Sequence, residues 1–311
     1  MDTRIQWPEG KAFAFTVFDD TDAATVDNGR PVYEFLRDCG LRTTKSVWPL
    51  AGSEAAEIVG GSTCAEPEYL KWVLELQKEG FEIGYHNATF HSSRREQTIR
   101  GLDRFKELFG HDPLTMATHT TLREGMYWGP HRVSGLQRFA YNLLTRYRSR
   151  DWFRGHVEGD EYFWGDLCKE RVKYVRNFVF PDINTLKACP LMPYHDPERP
   201  FVNAWFASAE GGEAPAFIKT ISEAGQDQLE AEGGACIMYA HFGKRFHHEG
   251  RLNAQFKALI ERLARRNGWF VPVATLLDFL ASRKGVHTLT GGEQTALERK
   301  WLWYKARVGT T

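Results

Sequence analysis

Ala12-Phe13-Ala14-Phe15-Thr16-Val17-Phe18-Asp19-Asp20-Thr21-Asp22 decides the fold: an apolar run of strand length, Ala12 to Phe18, stops abruptly at a set of carboxylates. Such a run, bounded by a polar turn, reads as a buried strand. Carboxylates at its carboxyl end are placed to hold a metal ion or to move a proton. The arrangement recurs. Phe81-Glu82-Ile83-Gly84-Tyr85-His86 is an apolar stretch ending in a histidine, with His91 close behind, and Cys236-Ile237-Met238-Tyr239-Ala240-His241 is another. Three strand-like segments each deliver a titratable or ligating side chain at the same end.

Between these runs lie amphipathic segments, the pattern of strand–helix units around a parallel sheet. Asn28-Gly29-Arg30-Pro31 opens a helix through Cys39, with Pro31 in its first turn. Thr43 to Trp48 reads as a strand, Ala51 to Ala65 as a long loop on the carboxylate rim, and Glu66-Pro67 as the start of a helix ending at Gly80. A helix capped by Ser92 or Ser93, with Glu96 in capping-box position, runs to Gly110. Leu114–Thr118, Val172–Phe180, Phe201–Ala207, Ala235–Ala240 and Trp269–Val273 read as further strands. Helices are expected over Phe217–Glu232, Leu252–Arg266 and Thr275–Ser282. Residues 1–285 form one barrel unit in this reading, and 286–311 a helical extension whose Trp301 and Trp303 dock on the body.

At 311 residues, with 42% hydrophobic and 26% charged side chains, the chain is long enough for an α/β barrel as a single domain. Its 40 basic and 40 acidic residues balance. A duplex or anionic-membrane binder carries a basic surplus, so neither a nucleic acid nor a membrane is expected as partner, though local basic patches stay open. Five cysteines without a Cys-x-x-Cys pair argue against a disulfide framework or a zinc knuckle. The polar start, Met1 to Lys11, lacks an apolar signal core, and the chain reads as cytoplasmic.

A catalytic metal site needs ligands from separate elements and an open position for water. Asp20, His86 and His91 supply one aspartate and two histidines for a divalent cation, zinc being the first candidate. Asp19, next to the ligand but pointing elsewhere, is the expected proton acceptor, and His241 the expected proton donor to a leaving group.

This constellation resembles the polysaccharide deacetylase family, also called the NodB homology domain or carbohydrate esterase family four. The family's Thr-Phe-Asp-Asp-Gly is matched by Val17-Phe18-Asp19-Asp20-Thr21, its histidine pair by His86 and His91, and its Leu-x-His by Tyr239-Ala240-His241. Gly268 to Val273 and the Leu-rich helix after it are similar to the family's closing strand and helix. The resemblance spans about Ala12 to Leu280 and implies a distorted (β/α) barrel of seven parallel strands. It also implies removal of an N-acyl, typically acetyl, group from a sugar or related amide, with Asp19 as base, Asp20 as metal ligand and His241 as acid. The chain departs from the family in having Thr21 in place of glycine and a five-residue histidine spacing. On a helix that spacing would swing the second ligand by about 100°; in a loop leaving a strand it is harmless. The arginine-proline motif is replaced by Thr118-His119-Thr120-Thr121-Leu122-Arg123-Glu124, so His119 and Arg123 are rim residues. With Trp128, whose ring face suits a sugar, they form the expected substrate-binding set. Two other classes fit an Asp–His–His set: a carbohydrate-binding or scaffold protein that kept the fold without turnover, and a non-haem iron oxygenase, which normally uses an all-β jelly roll.

Overall fold

The computed structural model describes residues 5–308, so the first four residues of the polar start and the last three of the helical extension lie outside it. Seven parallel strands close into a barrel. They are β1 (Phe13–Asp19), β2 (Thr44–Val47), β3 (Glu82–Tyr85), β4 (Thr115–Met116) and β5 (Tyr174–Phe180), then, after an outlying β6 (Tyr194–His195), β7 (Ala204–Ala209) and β8 (Ala235–Ala240). Closure comes from β8 returning to β1 in register from Ala14↔Ala235 to Asp19↔Ala240. A small hairpin follows, β9 (His247–His248) with β10 (Arg251–Leu252). Next β11 (Gly268–Phe270) pairs with the amino-terminal half of β1, and β12 (His287–Thr288) pairs with β6.

Among the described residues, eleven α-helices surround or extend this barrel: α1 (Val26–Asp38), α2 (Pro67–Lys78), α3 (Arg95–Phe109), α4 (Gly135–Leu144), α5 (Gly165–Arg171), α6 (Thr185–Ala188), α7 (Ala214–Thr220), α8 (Glu223–Ala231), α9 (Ala254–Ala264), α10 (Val273–Lys284) and α11 (Gly291–Val308). Among them, no described helix is long and apolar enough to cross a membrane.

Three expectations shift for identifiable reasons. Helix α1 starts earlier than expected because Thr25 and Asn28 form a reciprocal capping box, which leaves Pro31 inside the helix. Neither Ser92 nor Ser93 caps α3; the Ser93 amide instead donates to Glu124, and α3 begins at Arg95. The helix expected over 217–232 is two helices, because Ser222 accepts from the Gly225 amide and starts α8 anew.

All seven residues of β1 are buried, as a strand covered on both faces requires. Alternation then sorts its side chains. Phe18 and Asp20 point into the barrel, where they meet the Arg176 guanidinium. Asp19 points outward into the layer beneath α1, against Tyr33 and Lys45. At the amino-terminal end, Glu82 plugs the barrel: its carboxylate accepts from the Thr44 and Thr115 hydroxyls, both at 2.6 Å, and from the Ala274 amide at 2.9 Å. That amide belongs to the first turn of α10, whose dipole favours a nearby carboxylate, although burial pushes the Glu82 carboxyl up.

The terminal helix packs through Trp301, fully buried against Phe178 and stacked on Tyr141 at 5.9 Å, whereas Trp303 is exposed. Arg199, in a buried pair with Asp196, also binds Glu298 of α11, and Glu298 accepts from the Ser134 amide ahead of α4.

Candidate metal centre

At the carboxyl end of the barrel the turn after β1 presents Asp22, and three imidazoles converge on it. His86, just past β3, places Nε2 at 3.2 Å from Asp22 Oδ1, and His119, in the loop after β4, places Nδ1 at 3.0 Å from the same oxygen. His241, just past β8, has Nε2 at 3.3 Å from Oδ2, and the Lys244 ammonium lies at 3.4 Å. Burial alone would raise the Asp22 carboxyl, but hydrogen bonds from His119, His241 and His86 outweigh it and hold the group well below the usual range.

The backbone around the trio is over-determined. Asn87, at φ +68°, accepts from the His119 amide with Oδ1 and donates to Glu124 with Nδ2. Its side chain therefore ties the end of β3 to the end of β4. Ala23, directly after Asp22, is also left-handed at φ +57°. Residues held in this region by their surroundings concentrate at functional sites.

Ligand atoms of Asp22, His86 and His119 all lie within 4.8 Å of one another, and all three residues are buried. Oxygen and nitrogen ligands at about 2.0–2.2 Å from a tetrahedral or octahedral cation stand roughly 3.0–3.5 Å apart. The two separations from Asp22 match that spacing. His86 Nδ1 and His119 Nε2 have no hydrogen-bond partner, so the outer support that usually orients a ligating imidazole is not provided by protein groups. One carboxylate and two imidazoles are nonetheless a donor set suited to a divalent cation of the zinc type.

This is not the trio expected from the sequence. Both oxygens of Asp20 are taken by Arg176, at 2.8 and 2.6 Å, and Arg176 itself lies over the Tyr239 ring at 4.4 Å. His91 turns away: its Nε2 accepts from the Ser53 amide and its Nδ1 faces the Ser92 carbonyl. Asp19 does not line the cavity. Its oxygens are taken by the Phe242 amide, the Tyr33 hydroxyl and the Lys45 ammonium, and burial pushes its carboxyl up against their pull. Asp22 and His119 stand where Asp20 and His91 were expected. The sequence did carry a signal for the exchange: an arginine in the apolar run of β5 needs a buried carboxylate partner.

His241 does reach the site. Its Nδ1 lies 2.6 Å from the Gly212 carbonyl, which fixes a proton there and leaves Nε2 facing Asp22 and, at 3.1 Å, the Tyr239 hydroxyl. Burial lowers the imidazole, but Asp22 more than compensates, and the group titrates above its ordinary value.

A cavity of about 110 Å³ opens beside these groups, lined by Asp20, Asp22, His86, His119, Trp128 and His241, with Ile58 and Val59 of the long loop above it. Of the expected substrate-binding residues, His119 and Trp128 line this cavity. Arg123 does not; its guanidinium sits over Trp152 and Tyr162 in a separate surface cleft.

No family model matches this chain, and no curated protein matches it. Solved structures do match its shape. A structure described as a polysaccharide deacetylase from Mycobacterium smegmatis has a TM-score of 0.52 and 13% identity, covering 92% of this chain and 96% of its own. Puue allantoinase has a TM-score of 0.52 at 11% identity, over 92% and 95%. A structure described as a polysaccharide deacetylase from Pseudomonas aeruginosa PAO1 has a TM-score of 0.50 at 11% identity, over 91% and 96%. These similarities establish a common barrel.

Proposed function

We propose that this protein is a metal-dependent hydrolase of an N-acyl or other amide bond, with Asp22, His86 and His119 holding one divalent cation, zinc first. The convergence of these three side chains at the carboxyl end of the barrel, beside an oriented histidine, carries the reading. A cation there supplies Lewis acidity, lowering the pKa of a water and polarising a carbonyl. His241, its Nδ1 proton held by the Gly212 carbonyl, carries a second proton at Nε2 in its imidazolium form, favoured by Asp22, for a departing amine. Asp20 is the other carboxylate on the cavity wall; Arg176 outweighs burial and keeps it ionised, so it contributes a fixed negative charge beside the site. The cavity is small, which suits a small acyl group rather than a bulky one.

The deacetylases and the allantoinase among the structural neighbours make N-acetylated sugars and cyclic amides the first substrates to try. Five unpaired thiols, four of them buried, support a reducing, cytoplasmic setting. The test is acetate or ring-opened product release by zinc-loaded protein, with Asp22→Asn as control. Turnover that survives Asp22→Asn overturns the assignment.

A second reading has its own observation. Lys244 and His241 already compensate the Asp22 charge, so a carbohydrate-binding protein without a cation is self-consistent at this site. Metal analysis of protein purified without added metal separates the two. The oxygenase reading loses its premise, since the scaffold is a (β/α) barrel rather than an all-β jelly roll.

A further inference from the structure

Helix α4 is amphipathic the wrong way round. Leu136, Phe139 and Leu143, spaced three and four apart on one face, are 83%, 60% and 62% exposed. Leu144, Tyr147 and Trp152, in and after the following turn, are also exposed, at 55%, 44% and 39%. The opposite face is fixed to the body: Tyr141 stacks on buried Trp301, and Glu298 binds the Ser134 amide and hydroxyl. The exposed face is thus a firmly mounted surface, and apolar patches of this kind mark interaction sites.

Its charge says what covers it. Residues 134–154 carry five arginines against one aspartate, in a chain whose total charge is zero, and among the described residues only Arg154 of the five is paired with a carboxylate, that of Asp160. Arg138, Arg146, Arg148 and Arg150 are exposed beside the apolar side chains. We infer that α4 and its following turn dock on an anionic lipid surface, the apolar side chains entering the headgroup–acyl boundary and the arginines meeting lipid phosphates. Such a combination of apolar face and basic rim is that of interfacial helices. A second copy of the chain fits less well, because an isologous contact would set the same arginines against each other. Bases of a nucleic acid would call for stacking rings, whereas three of the six apolar side chains are leucines.

The surface adjoins the candidate site. The Trp152 indole donates to the Thr121 carbonyl, next to cavity-lining Thr120, and cavity-lining Trp128 precedes the short 3₁₀ turn that leads to α4.

The test is co-sedimentation of the full chain with vesicles of phosphatidylcholine, alone or with one-third phosphatidylglycerol. Partition onto the anionic vesicles, weak partition onto neutral ones, and release at high salt are expected. Arg146→Glu/Arg148→Glu/Arg150→Glu should lower partition by at least about a hundredfold, since each basic residue near such a surface contributes about fivefold. Phe139→Ser/Leu143→Ser should also lower it, with an unchanged thermal midpoint because both side chains are exposed. Protein left in the supernatant with anionic vesicles, equal binding to both vesicle types, or a charge-reversed variant that pellets like the parent overturns the inference. So does a dimer that Phe139→Ser dissociates while vesicles fail to bind.

Discussion

Arg176 grips both oxygens of Asp20 in a parallel two-point contact inside the barrel, with both side chains almost fully buried. Removing one partner strands the other. Arg176→Met should cost about 3–5 kcal/mol, the range for breaking a buried pair, and Arg176→Lys should also destabilise because an ammonium cannot reproduce the fork. Arg176→Met/Asp20→Leu should recover much of the loss. Urea denaturation at constant m-value reads all three; a single Met variant as stable as the parent contradicts the pairing.

Asp22, His86 and His119 should bind a divalent cation together, and His91 should not take part. Titration of demetallated protein with zinc should show Asp22→Asn, His86→Ala and His119→Ala each weakened at least about a hundredfold, beyond the 10–100-fold typical of supporting residues. His91→Ala should bind as the parent does, at a small cost in stability from the freed Ser53 amide. Equal weakening by His91→Ala would restore the ligand set expected from the sequence.

His241 should be needed as a proton donor. His241→Ala should lower kcat about 10²–10⁴-fold. Because the folded imidazole titrates above its ordinary value, the acid form persists to higher pH, and it is lost as pH rises through the shifted value. Parent activity should therefore hold to higher pH than an ordinary imidazole would allow before falling, and the variant should lack that limb. Leaving groups that need no proton should narrow the gap between the two enzymes.

Glu124 links stability to pH. Burial raises its carboxyl from 4.5 to about 8, only partly opposed by the Ser93 amide. The folded chain thus keeps a proton that the unfolded chain releases. That contribution is fully present below about 4.5 and is lost as pH climbs towards 8. Glu124→Gln should flatten this slope and gain on the parent by up to about 5 kcal/mol between pH 4.5 and 8. Chemical denaturation at a series of pH values measures it; parallel curves for the two proteins rule out a buried neutral carboxyl.

The barrel was legible because strand length, apolar content and the alternation with amphipathic helices are local properties, and β1, β3 and β8 announce themselves by ending in polar side chains. The site was legible only in outline. Asp19, Asp20 and Asp22 are chemically alike, and what separates them is strand direction and the claim that Arg176, more than 150 residues away, makes on Asp20. His91 and His119 were exchanged for a similar reason. The sequence reading places His119 on the rim after the fourth strand but as a substrate-binding residue, because His91 stands closer to His86 in the chain, though it does not share its direction. Helix α4 escaped notice because its apolar stripe faces outward, away from any core that would have made the periodicity meaningful.

The Glu82 plug has a bearing on turnover. Its hydrogen bonds to Thr44, Thr115 and α10 seal one end of the barrel, so whatever enters beside Asp22 must back out through the same doorway. Under the proposed hydrolysis, reactant and spent fragments would share one route past Ile58, Val59 and Trp128.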